Sequence, residues 1–526
     1  ILRNLPVHSW TGQTAYKKDK TTRRPKPYLT RAKNGPPLAS TDKLKICLAS
    51  SELTPLAKTG GLADVNVALA VYLHQQGHDI RVLIPFYPSI ETDDLNIEPV
   101  AGLQNLAITI GTRDFYYSID VGTLPDNGLP VYLLRCPALY DRPTIYTTSA
   151  DEHLRFILLS RVAIEMCQRM RFAPDIFHCH DWHTALIPLF LRTIYFWDKL
   201  FANTRSVLTI HNIGYQGVFD ADIVADLNLK GGELFLHQDD LHLGHINFLK
   251  TGLLFADLLT TVSPTYASEI QGAEYGMGLD HILRDRSDAV VGILNGVDYV
   301  EWDPKTDPLI PQNYTSRNLK GKAFCKQALM TELGLAGGSE QPVIGIVSRL
   351  VEQKGIDLME RALPALLTRQ NFSLAVLGSG EPRFEGFFAS LQKLARTRVS
   401  FYRGYSNKLA HWIEAGSDMF LMPSIYEPCG LNQMYSLKYG TVPIVRETGG
   451  LADSVQQIDA DTASGTGILF RDYDETGLAW AISRALELFE NKALWKKIMR
   501  NGMAMDFSWE QQGEEYVALF RRITGK

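Results

Sequence analysis

Two cations stand five residues apart in Val347-Ser348-Arg349-Leu350-Val351-Glu352-Gln353-Lys354-Gly355, where an apolar run gives way to a helical pattern. The guanidinium of Arg349 offers a planar fork to phosphate oxygens and the ammonium of Lys354 a point charge, so the pair suits a departing diphosphate. A carboxylate with a different task follows in Tyr426-Glu427-Pro428-Cys429-Gly430-Leu431. Set among Pro, Cys, Gly and Leu, Glu427 is a candidate for steering sugar hydroxyls or stabilising developing positive charge. No second carboxylate is spaced to make a hydrolase pair.

Six residues occur twice: Thr59-Gly60-Gly61-Leu62-Ala63-Asp64, preceded by Lys58, and Thr448-Gly449-Gly450-Leu451-Ala452-Asp453, preceded by Glu447. Each copy follows a strand-like run. A Gly-Gly turn that opens a helix leaves backbone N–H groups at the positive end of the helix dipole, where an anion or sugar hydroxyls can sit. Two related halves facing one ligand are therefore expected. Lys58 precedes its glycines, so neither the Gly-x-x-x-x-Gly-Lys spacing of a nucleotide loop nor a dinucleotide fingerprint is present. For either copy alone, a structural strand-to-helix turn is the alternative.

Polar side chains also end two other apolar runs. His178-Cys179-His180-Asp181-Trp182-His183 is dense in ligand-type groups. Alternation along a strand sends His178 and His180 to one face and Cys179 to the other, and no second cluster completes a metal shell. A sugar-binding edge, a structural role and a metal site are the three readings. Thr209-Ile210-His211-Asn212 reads either as a satisfied core histidine or as a His-Asn pair at a sugar rim.

These residues need a frame to hold them. From Leu44 onward, strand-like runs at Leu44–Ser51, Asp79–Phe86, Leu129–Cys136, Asp175–Asp181, Ser206–His211 and Leu258–Ser263 alternate with helical patterns at Ala63–Gln76, His153–Met170 and Thr184–Phe201. A second series has strands at Val343–Leu350, Phe372–Gly378, Val399–Tyr405, Met419–Ser424, Val442–Arg446 and Gly467–Phe470. Its helices fall at Asp357–Gln370, Phe384–Thr397, Leu409–Ala415 and Gly477–Glu490. Continuous apolar strands alternating with helices imply an α/β chain with two doubly wound, Rossmann-like domains. Ligands of such sheets lie beyond the carboxyl ends of the strands, so both halves should face one central cleft. The chain crosses near Asn295-Gly296-Val297-Asp298, and a last helix, Trp509 to Ile523, returns to the first domain.

Composition narrows the partners. A chain of 526 residues with 45% hydrophobic and 21% charged residues is an ordinary globular protein of at least two domains. A net charge of -5 gives no electrostatic footprint for nucleic acid. The six cysteines, Cys47, Cys136, Cys167, Cys179, Cys325 and Cys429, are scattered in apolar surroundings and read as reduced core residues. No stretch is long and apolar enough to span a bilayer, so no membrane partner is expected. Residues 1 to 43 differ from the rest, with Lys17, Lys18, Lys20, Arg23, Arg24 and Lys26 and no apolar periodicity, and read as a flexible basic arm.

Taken in order, the Lys-Thr-Gly-Gly-Leu-Ala-Asp at 58 to 64, His-Asp-Trp-His at 180 to 183, Thr-Ile-His-Asn at 209 to 212, Ser-Arg-Leu with Gln-Lys-Gly at 348 to 355, Glu-Pro-Cys-Gly-Leu at 427 to 431 and Thr-Gly-Gly-Leu-Ala-Asp at 448 to 453 resemble the bacterial glycogen synthase and starch synthase family. Val262-Ser263-Pro264-Thr265-Tyr266, Leu294-Asn295-Gly296-Val297-Asp298 and Met505-Asp506-Phe507-Ser508-Trp509 fit it too. The match runs from about Lys45 to the C terminus.

The resemblance implies a GT-B fold and transfer of glucose from ADP-glucose to the non-reducing end of an α-1,4-glucan, with retention and with neither metal nor other cofactor. It divides the chain into an arm at 1–43, an acceptor-side domain at 44–294, a donor-side domain at 295–500 and the returning helix at 501–526. Arg349 and Lys354 would hold the diphosphate, with Lys58, Gly60 and Gly61 approaching it from the first half and Thr448, Gly449 and Gly450 adding backbone donors from the second. Tyr405 would stack on adenine. His211 and Asn212 would bind the donor glucose and Glu427 orient its hydroxyls; Asp181 would lie near glucose and acceptor, Asp64 would support the first turn, and Asn295 joins the substrate-binding set. Ala63 follows the bacterial form of the motif, which favours a bacterial cytoplasm over a plastid. The basic arm departs from compact bacterial members. A GT-B transferase using UDP-glucose, or an inactive glucan-binding scaffold, are the alternatives.

Overall fold

Residues 43–229 and 231–526 are described by a computed structural model; the basic residues of the arm lie outside the described residues. The first lobe is built on a ten-stranded sheet. Its parallel centre runs, edge to edge, through Val290–Gly292, Leu258–Thr261, Arg205–Ile210, Ile176–His180, Lys45–Ala49, Asp79–Pro85 and Pro130–Arg135. Most of these strands are buried along nearly their whole length, as continuous apolar runs covered on both faces should be. The second lobe is a six-stranded, all-parallel sheet ordered Val399–Arg403, Ser373–Gly380, Val343–Leu350, Met419–Met422, Val442–Arg446 and Ile468–Phe470. The expected pair of doubly wound α/β lobes is thus what the chain forms.

Each sheet has a place where successive strands wind off in opposite directions. In the first lobe it lies at Lys45–Ala49, flanked by Asp79–Pro85 and Ile176–His180. In the second it lies at Val343–Leu350, flanked by Ser373–Gly380 and Met419–Met422. Connections diverge there and leave a crevice at the carboxyl ends. Arg349 ends one of these strands, and the segments that follow them carry Asp64, Asp181, Lys354 and Glu427.

Two features differ from the sequence reading. The first sheet ends in antiparallel strands, Arg113–Thr123 with Leu106–Ile110 and Glu98–Pro99, whose half-exposed faces lack the continuous apolar run of a buried parallel strand. The expected helix Thr184–Phe201 instead breaks into Ile187–Arg192 and the short turn Lys199–Phe201. Tertiary contacts override the helical pattern: the Thr193 hydroxyl bonds back to the Leu189 carbonyl, and the chain turns so that the Tyr195 hydroxyl reaches Glu165 at 3.0 Å.

The crossing segment is pinned to the second lobe by a stack of rings. Trp302 lies between His411, with ring centroids 3.9 Å apart, and Tyr435, at 4.0 Å. Asp307 accepts from His411 Nδ1 at 2.8 Å and from the Tyr439 hydroxyl at 2.6 Å. Burial alone would lower the His411 pKa, but the hydrogen bonds and charges of Asp307 and Glu301 raise it to about 9. Its stabilising contribution is full below the ordinary imidazole value of about 6.5 and is lost as pH rises through about 9, a change on the order of 3 kcal/mol. Urea unfolding of wild type and His411→Gln should therefore differ most at pH 6 and converge above pH 9; a gap independent of pH would contradict the charged pair.

A second crossing runs beside the first, with the Val297 amide donating to the Phe507 carbonyl at 2.7 Å. The helix Trp509–Thr524 then packs against Gly61–Gln75 of the first lobe. The approach requires Gly513, because a Cβ there would meet the Tyr72 ring at 2.3 Å.

Candidate active site

Between the lobes lies a cavity of about 660 Å³ lined from both sides. The first lobe supplies Glu52, the Thr59-Gly60-Gly61 turn, Tyr146, Asp181, His211 and Asn212; Asn295 comes from the crossing and Arg349, Lys354 and Glu427 from the second lobe.

Lys354 and Glu427 meet directly. Lys354 Nζ donates to Glu427 Oε2 at 2.6 Å and Oε1 at 2.9 Å, and the Ser424 hydroxyl donates to Oε2 at 3.0 Å. Glu427 is 4% exposed, so its charge is held in low dielectric by these two partners. Local geometry fixes both: Gly355 has φ of 73°, and a Cβ there would meet the Pro423 carbonyl oxygen at 2.1 Å. The Ile425 amide also donates to the Gln353 carbonyl at 2.9 Å, tying the lysine loop to the glutamate loop. Arg349, at the end of its strand, is exposed and has no ion-pair or hydrogen-bond partner for its guanidinium among the described residues. One free cation and one held cation thus face the same cavity.

The two copies of the hexapeptide do different work. In the first, Glu52 accepts from the Thr59 amide at 2.5 Å, the Thr59 hydroxyl at 2.7 Å, the Gly60 amide at 3.3 Å and the Tyr146 hydroxyl. The amides of Gly61 and Leu62 open the helix with no intrahelical acceptor. A Cβ at Gly60 would meet nothing within 4 Å, so this copy opens onto empty space. The second copy is closed. The Gly449 amide and the Thr448 hydroxyl donate to Glu269 of the first lobe at 3.0 and 2.9 Å, and the Gly450 amide donates to the Glu427 carbonyl at 3.1 Å. Gly449 has φ of 43°, and a Cβ there would lie 1.9 Å from that carbonyl oxygen.

Thr448, Gly449 and Gly450 are not brought to the site in this structure. They do not line the cavity, and their donors are committed to Glu269 and to the backbone of the Glu427 loop. The same helix accepts a second grip from the first lobe, where Thr265 donates to Asp453 from its amide at 2.8 Å and its hydroxyl at 2.6 Å. The repeat thus presents one copy to the cavity and uses the other to fasten the lobes and buttress Glu427.

Asp181 sits in the left-handed region at φ of 50°, where a strand gives way abruptly to a helix. Its Oδ1 accepts from the amides of His211 at 2.7 Å and Asn212 at 3.4 Å, and burial, opposed by these bonds, pushes its carboxyl up to about 7. Asn295 Oδ1 is buried beside the cavity with no partner among the described residues. His211 is buried and burial lowers its pKa to about 3, so its ring is neutral. Three other residues of the expected site stand apart from the lining. Lys58 is paired with Asp64 at 2.8 Å. Tyr405 is 69% exposed and bonds Asn407, in reach of the charges of Lys58, Glu301 and Asp64.

Glu52, Tyr146, Ser424 and Glu269 were not singled out from sequence. Glu52 lies shortly beyond the buried strand Lys45–Ala49, as Glu427 lies shortly beyond Met419–Met422, and that position was its available signal. Glu269 lies on a short helix with no such mark. Among the described residues no group of three or more His, Cys, Asp or Glu is arranged to hold a metal. Among the described residues no helix is long and apolar enough to cross a membrane.

Residues 45–285 match the family described as starch synthase catalytic domain, and residues 335–501 match glycosyl transferases group 1. A glycogen synthase of Koribacter versatilis is 45% identical over 483 residues, covering 91% of this chain and 98% of that protein. Glycogen synthase 1 of Geobacter sulfurreducens is 42% identical over 494 residues, 92% of this chain and 97% of its own. The catalytic domain of starch synthase IV from Arabidopsis thaliana, solved bound to ADP and acarbose, has a TM-score of 0.84 at 33% identity and covers 92% of this chain and 100% of that one. Sucrose-phosphate synthase from Thermosynechococcus elongatus, at 18% identity and a TM-score of 0.56, shares the fold.

Proposed function

The chain belongs to the glycogen synthase and starch synthase family of glycosyltransferases, and we propose that it moves glucose from ADP-glucose onto the non-reducing end of an α-1,4-glucan with retention at the anomeric carbon. One observation carries the reading: an unpaired guanidinium and an ammonium held by a buried carboxylate share a cavity with the open Gly-Gly turn and the His211-Asn212 edge. Cations gathered there stabilise a diphosphate as negative charge develops on it.

In this mechanism the bond between the anomeric carbon and the β-phosphate oxygen breaks. Arg349 and Lys354 take up the charge of the ADP that leaves, the task a metal performs elsewhere, and no metal or other cofactor is needed. Glu427 lies beside the developing oxocarbenium-like sugar. The departing phosphate oxygen accepts the proton of the acceptor hydroxyl, which attacks from the same face. Lys58, Gly60 and Gly61 approach the nucleotide phosphates when the lobes close, and Tyr405, now outside the cavity, stacks on the adenine. His211, Asn212, Asn295 and Asp181 surround glucose and acceptor. Closure expels water from the site. The relative solved bound to ADP and acarbose supports a nucleotide and a glucan-like ligand as this chain's partners. The bacterial form of the first motif supports a bacterial cytoplasmic setting.

The test is incubation with radiolabelled ADP-glucose and a malto-oligosaccharide primer, with and without EDTA, beside the same assay with UDP-glucose. Labelled glucan released by an α-1,4-specific amylase, from ADP-glucose and equally in EDTA, is the expected result. Transfer only from UDP-glucose, or glucan binding without transfer, would replace the proposal.

A further inference from the structure

His178, His180, His183 and His211 crowd the carboxyl ends of the strands Ile176–His180 and Arg205–Ile210, and all four are buried. Burial, with added repulsion between neighbours, keeps them neutral, so each ring carries a single N–H. His180 Nδ1 lies 3.0 Å from His211 Nε2. One of these two nitrogens holds the hydrogen, and which one decides what His211 shows to the cavity.

One observation settles the direction. His180 Nε2 is buried without a partner among the described residues. If His211 were the donor, His180 would have to carry its own hydrogen on that nitrogen, leaving a buried N–H unpaired; if His180 is the donor, only a bare lone pair is left there. Orphaned buried N–H groups are the rarer outcome.

We propose that His180 is a positioning residue: by donating its Nδ1–H to His211 Nε2 it locks His211 in the tautomer that carries hydrogen on Nδ1, so that His211 meets the ligand as a hydrogen-bond donor to oxygen and cannot serve as a base. The tautomer follows from the contact and burial of two neutral rings; its effect on turnover rests on the glucosyl-transfer reading, in which the departing phosphate is the base.

Neutron diffraction from deuterated crystals of the ligand-free protein at pD 7 reads the tautomer directly. Deuterium is expected on Nδ1 of both His180 and His211 and is expected to be missing from His211 Nε2; deuterium on His211 Nε2 overturns the proposal. The second arm is kinetic. The side-chain amide of Asn can place an N–H where Nδ1 stands, whereas Leu cannot. His180→Leu should lose on the order of 10-fold or more in kcat/KM, as when other groups that orient a functional histidine are removed, and His180→Asn should recover most of it. Equal impairment of both variants, each with a cooperative thermal transition near that of wild type, would reduce His180 to a packing role and overturn the proposal. Failure of the wild-type chain to transfer glucose would defeat the functional reading and leave the neutron result to decide the tautomer.

Discussion

Lys354→Ala is expected to slow glucose transfer from ADP-glucose on the order of 10²-fold or more, with the loss falling mainly on kcat. The ammonium stands 2.6 Å from Glu427 in the ligand-free protein, so it is already paired before any phosphate arrives. Its contribution to ground-state binding is therefore partly offset by that pair. Its contribution grows as the diphosphate takes on charge, because interactions that strengthen only in the transition state act on kcat. The side chain is partly exposed, at 19%, and the variant should keep its fold. Turnover near that of wild type, measured at saturating ADP-glucose, would contradict the assignment.

Glu427→Gln is expected to cost on the order of 10²-fold to 10³-fold, and it should not add to Lys354→Ala. The substitution keeps the shape and the hydrogen bond from Ser424 but removes the charge that balances Lys354 and faces the developing cation. Because the two side chains touch, removing either already disables the other, and the double variant should be about as slow as the worse single one. Initial rates for wild type, both single variants and the double form a cycle that measures the coupling. Full additivity would mean that the ammonium and the carboxylate act at separate places.

The alternation of strands and helices was legible because parallel strands buried on both faces must be continuously apolar, and both lobes followed from it. The antiparallel rim of the first sheet was not, since half-exposed strands such as Arg113–Thr123 carry a weaker pattern. Motifs located the Arg349, Lys354 and Glu427 segments. The ion pair between Lys354 and Glu427 joins residues 73 apart and exists only because a glycine lets one loop pass under the other. The repeat hides a similar difference. Identical residues form different turns, with Gly60 extended at φ of -159° and Gly449 left-handed at φ of 43°, and Glu52 leaves one turn open to the cavity while Glu269, from the opposite lobe, closes the other. A carboxylate arriving from elsewhere in the chain leaves no mark in the repeat itself. Lys58 and Tyr405 show the remaining gap: their partners in this structure are Asp64 and Asn407, and the place at the nucleotide proposed for them would need the lobes to move.

The account depends most on where the diphosphate lands, and a crystal structure of this chain with ADP measures that directly. The expected complex has phosphate oxygens within about 3 Å of the Arg349 guanidinium and of Lys354 Nζ, with Lys354 shared between phosphate and Glu427. ADP seated away from both side chains, or held by a divalent ion in their place, would contradict it.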